Sequence, residues 1–200
     1  TDAYLPGFTF LGGEFSPDNK FVNVSYVTAN TSPTQTSTLK VLRTEDLSTY
    51  AELTLEGVLA PNAVFFEEDE CLYLATTIAQ GVLDYNNLAA SQNPPYDLVI
   101  YRVCCNTLTL VAQAPLPQNV LNINITKVKH KTLITLGTRQ ALSEQACQKS
   151  IFEINPNNRS ALPKDDAELR FYWFNHECLV LAQKFDFDLN IEDATVSRCG

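Results

Sequence analysis

Few residues in this chain have the types and spacing that do chemistry, and strand geometry accounts for most of them. Asp186-Phe187-Asp188-Leu189-Asn190 has the alternating oxygen ligands that open a calcium loop. Such a loop needs Gly at its sixth position for the sharp turn and a bidentate Glu at its twelfth. Ile191 and Ser197 stand there. Phe185, Phe187, Leu189 and Ile191 alternate with the polar residues, which is the period of a half-buried strand, so no metal ligand is assigned. Glu67-Glu68-Asp69-Glu70 would attract a cation or a basic partner, but it falls between two apolar runs, where a tight turn leaves acids solvated. His176 and Cys178 are two residues apart and face one side of a strand start. Cys178 also repeats Cys71, which has Asp69 in the histidine's place, so it reads as a core position. The sequence has no G-x-S-x-G elbow, no phosphate-cradling glycine loop and no basic aromatic stripe. No catalytic residue and no cofactor are assigned.

Six cysteines permit three disulfides, but a chain of 200 residues buries a core without such staples. None forms a C-x-x-C pair, and with two histidines a zinc site is not expected. Cys104-Cys105 is a vicinal pair at a strand end. A bridge between neighbours is strained, so two thiols are expected. N-x-S/T sequons at Asn23, Asn30, Asn124 and Asn158 give a weak lean toward an exported protein.

The elements that must position these residues are strands. Phe21 to Val27, Asp97 to Val103 and Leu108 to Val111 are rich in β-branched and aromatic residues, and no long window keeps a helical apolar stripe. Glu70-Cys71-Leu72-Tyr73-Leu74-Ala75 and Glu177-Cys178-Leu179-Val180-Leu181-Ala182 match at five of six places, each after an aromatic strand and a polar turn. The same strand-turn-strand frame fits Phe15 to Val24 and, more loosely, Thr126 to Ile134. A third strand follows at Leu39 to Arg43, Leu98 to Val103 and Ser150 to Ile154. A fourth follows at Tyr50 to Leu55, Leu108 to Ala112 and Ala161-Leu162. The expectation is an all-β chain of about four antiparallel four-stranded units, a complete or partial β-propeller, with a β-sandwich as the rival.

Long loops are expected between second and third strands, at Thr28 to Thr38, Thr76 to Tyr96 and Thr138 to Lys149. On a rigid scaffold such loops carry binding residues. The longest offers Asp84, Tyr85, Asn86, Asn87 and Tyr96 to a protein or carbohydrate partner.

Phe15-Ser16-Pro17-Asp18-Asn19-Lys20-Phe21-Val22-Asn23-Val24 resembles the F-S-P-D-G-K strand-turn-strand of WD40-like, TolB-like and lactonase-like propeller repeats, with Asn19 in the family's glycine position. The Gly-His and Trp-Asp marks of true WD40 repeats are absent. The resemblance implies the propeller fold and carries over no catalytic residue.

Composition bounds the function. A net charge of -9 and a pI near 4.6 repel phosphate backbones and anionic lipid, which excludes nucleic acid as the expected partner. No apolar run reaches the roughly 18 to 20 residues of a spanning helix, so membrane insertion is not expected. Beginning at Thr1 and lacking Met, the chain reads as a single domain, processed or cut from a larger ring whose open edges would self-associate. The expected function is a non-enzymatic binding or scaffold module. The alternatives are a metal-dependent lactonase-like hydrolase and a structural assembly domain.

Overall fold

The computed structural model describes residues 9–31, 34–59, 63–79, 96–116, 119–139 and 167–187. Thirteen strands and no helix occupy them. β1 (Thr9–Phe15), β2 (Phe21–Thr31), β3 (Thr34–Arg43) and β4 (Thr49–Glu56) form the first sheet in chain order. In the second, β7 (Cys71–Ala79), β8 (Tyr96–Cys104) and β9 (Thr107–Leu116) follow a split first strand. Its two pieces, β5 (Val58–Leu59) and β6 (Val64–Glu68), both pair with β7. The third runs β10 (Asn119–Val128), β11 (Lys131–Arg139), β12 (Ala167–Asn175) and β13 (Cys178–Phe187). Every pairing is antiparallel. The all-β expectation holds, in three sheets rather than the two of a sandwich.

Two expectations are corrected. β12 and β13, read from sequence as opening a fourth unit, are the third and fourth strands of the third sheet. β11 has both edges taken, by β10 and β12. The stretch Thr28 to Thr38 is a hairpin rather than a long loop, because β2 and β3 stay paired to Thr31 and Thr34. Its threonines, being β-branched, suit strands as well as loops. The expected strands at 150–154 and 161–162 lie outside the described residues.

The sheets pack face to face in chain order. Leu39, Val41 and Ala51 of the first meet Phe65, Leu74, Ile78, Val99, Tyr101 and Val103 of the second. The opposite face of the second sheet, with Phe66, Tyr73, Ala75, Leu98 and Ile100, meets Ile123, Ile134, Leu136, Tyr172 and Phe174 of the third. There Phe66, Tyr73 and Phe174 form an aromatic triad with centroids 5.1 to 5.3 Å apart. A sheet buried on both faces cannot alternate apolar with polar. Accordingly β7 and β8 are almost continuously buried, whereas half of the edge strand β9 is exposed.

Gly57, at φ 105°, turns the chain after β4, and a Cβ there would run into the Ala79 carbonyl oxygen. That close approach requires glycine.

Candidate functional site

The β6–β7, β8–β9, β10–β11 and β12–β13 hairpins close through two-residue turns at Asp69-Glu70, Cys105-Asn106, Lys129-His130 and His176-Glu177. Both central residues have positive φ in three of them, and Lys129 does in the fourth. That left-handed pair matches the strand twist, and Asn, Asp and His accept it more readily than the other residue types present here. The β1–β2 turn is longer. Ser16 Oγ donates to the Asp18 carboxylate at 2.7 Å and accepts the Phe21 N–H at 2.9 Å. Burial works against the charged Asp18, but hydrogen bonds from Ser16 and the Lys20 N–H, with the Lys20 ammonium, hold its carboxyl below the ordinary range.

Polar contacts at and beside these turns join the sheets. Arg102 Nη1 on β8 donates to Glu177 Oε1 in the β12–β13 turn at 2.7 Å. His176 Nδ1 is 3.5 Å from the Asp69 carboxylate. Lys127 Nζ on β10 is 3.5 Å from Glu68 Oε2. Arg43 Nη2 reaches Asn106 Oδ1 at 3.4 Å, tying the first sheet to the second.

Within the acidic run Asp69 and Glu70 are exposed in the turn, but Glu67 and Glu68 belong to β6, where Glu67 is exposed and Glu68 is 4% exposed. Neither of its carboxylate oxygens has a hydrogen-bond partner among the described residues, and Lys127 is its counter-charge. Sequence reasoning missed this pair because β6 and β10 are far apart along the chain.

Cys178, read as a core position, is exposed, and the His176 ring turns to Asp69. His176 belongs to the turn rather than to the strand, so strand alternation does not set its direction. Asp186 lies in β13, with its carboxylate 3.0 Å from Lys184 Nζ. Among the described residues no group of three or more His, Cys, Asp and Glu side chains is placed to hold a metal ion.

Cys71, Cys104, Cys105 and Cys178 are free thiols. The Cys104 and Cys105 sulfurs are 3.0 Å apart, and the hydrogen bond between them, in which either thiol can donate, pushes the Cys104 thiol up from its ordinary value. Tyr73, first through burial and then through Cys71 and Glu177, is pushed up to about 12.

Of the residues expected to bind a partner, Asp84, Tyr85, Asn86 and Asn87 lie outside the described residues. Tyr96 is the first residue of β8, 7% exposed, and packs in the core between the second and third sheets. No protein-family model matches the chain, and no curated protein matches it in sequence.

Proposed function

We propose that this chain is a propeller-type, non-enzymatic binding or scaffold module whose sheets are successive blades. One observation carries the reading: a single packing relation recurs from sheet to sheet. Leu74 in β7 and Ile134 in β11 stand equally far beyond their two-residue turns, and each faces the preceding sheet. So do the pairs Tyr101 and Tyr172, Val103 and Phe174, and Leu108 and Leu179, counted from the β8–β9 and β12–β13 turns. First strands lie near first strands, with β1 on β6 and β6 on β10, and β9 contacts both β4 and β13. A packing operation repeated along a chain generates a ring or a solenoid. Four-stranded antiparallel units are the blades of the ring.

Such a scaffold holds its connecting segments in place for contact with a macromolecule. The segment joining β7 to β8, with Asp84, Tyr85, Asn86 and Asn87, is the contact we assign, and Tyr96 anchors its end in the core. The test replaces residues 81–94 with a short Gly-Ser linker. Binding to arrayed glycans and to a panel of extracellular proteins is measured beside the thermal midpoint. Loss of a ligand with an unchanged midpoint is the expected result. A ligand that the variant retains overturns the assignment of this segment. Divalent-ion-dependent hydrolysis of lactones by the wild-type chain overturns the non-enzymatic reading.

A further inference from the structure

The vicinal pair Cys104-Cys105 goes beyond that reading. Both side chains are exposed, and the sulfurs are 3.0 Å apart. The pair is built into a defined turn. Cys105 and Asn106, at φ 54° and 60°, close the β8–β9 hairpin, and Thr107 Oγ1 donates to the Cys104 carbonyl at 2.7 Å. Asn106 is held from one side by Arg43, and Arg102, two residues before Cys104, is held from the other by Glu177. The thiols thus sit on a defined turn with polar contacts on both flanks, so two sulfurs are presented together at a lower ordering cost than free side chains would meet.

We propose that Cys104 and Cys105 form a dithiol capture site for soft, thiophilic species that take two sulfur ligands. Soft acids select thiolate sulfur over carboxylate or imidazole. With a trivalent arsenic oxide the balance needs no oxidant. Each thiol surrenders its proton, two arsenic–sulfur bonds form, the arsenic–oxygen bond breaks and one water leaves. The raised Cys104 thiol slows its attack, since the thiolate is the nucleophile, but leaves this balance unchanged. Closing one ring through both sulfurs makes the adduct resistant to competing monothiols, which can displace only one sulfur at a time.

The experiment uses the full chain, reduced and then freed of reductant, with phenylarsine oxide as probe and intact mass as readout. The expected result is an arsenic adduct that survives excess monothiol and is released by a small dithiol. Cys104→Ser and Cys105→Ser each lose that adduct, and Cys178→Ser, which removes another exposed thiol, keeps it. Far-UV circular dichroism confirms that each variant is folded. An adduct that survives in Cys105→Ser but is lost in Cys71→Ser overturns the proposal, because the pair would then be Cys71 with Cys104. A wild-type adduct that monothiol removes overturns it as well.

Discussion

Tyr101 carries a hydroxyl into the core between the first and second sheets, and burial pushes its pKa from 10.0 up to about 12. The folded chain therefore keeps a proton that the unfolded chain releases earlier. The stability linked to Tyr101 is complete below pH 10 and is lost as pH rises from there through about 12. A rise of that size corresponds to roughly 2 to 3 kcal/mol. Tyr101→Phe should flatten the alkaline limb of the stability curve followed by circular dichroism, leaving the part that belongs to Tyr73. Glu68 makes a second prediction at this scale. Lys127→Ala leaves a buried carboxylate with no counter-charge among the described residues and should cost about 1 to 3 kcal/mol in urea unfolding. Glu68→Gln combined with Lys127→Ala should recover part of that loss.

The hairpins hold non-glycine residues in a conformation that glycine adopts more easily. Glu70, at φ 62° in the Asp69-Glu70 turn, is exposed, and Glu70→Gly should raise stability by about 1 kcal/mol in chemical denaturation. Gly57→Ala should lower it, since the new methyl meets the Ala79 carbonyl. Turns and strands were the legible part of the sequence. The Phe15 to Val24 unit and the run from Leu98 to Val103 fall where periodicity put them, whereas the acidic run after Phe66 is half strand, with only Asp69 and Glu70 in the turn. The repeat was misleading about position. Cys71 to Ala75 lies in a second strand and Cys178 to Ala182 in a fourth, yet both leave a two-residue turn. Local sequence encodes the hairpin, and the hairpin is indifferent to which sheet neighbour it later joins. Contacts such as Arg102 with Glu177 were illegible for the same reason, since they depend on how one sheet lies on the next.

Across the whole molecule, burial sorts chemically identical residues. Leu74 is 0% exposed between the first and second sheets, and Leu74→Ala should cost about 2 to 5 kcal/mol, because the cavity is walled by two sheets that cannot both collapse into it. Leu110, on the edge strand β9, is 48% exposed, and Leu110→Ala should stay within about 0.5 kcal/mol by the same urea titration. The second sheet lends both faces to the core, so it depends on both neighbours for its stability.

Each sheet is made only of strands that follow one another along the chain. Pairing in the first sheet therefore closes short loops, and its four described strands are complete once Glu56 has been synthesised, whereas β8 and β12 pair back across residues 80–95 and 140–166. Folding can then advance sheet by sheet as each later meander lays its apolar face on the one before it. The second sheet is the exposed intermediate in that sequence. Until the third arrives, Phe66, Tyr73, Leu98 and Ile100 face water, so a pause in synthesis after Leu116 leaves an apolar sheet face open to misassociation.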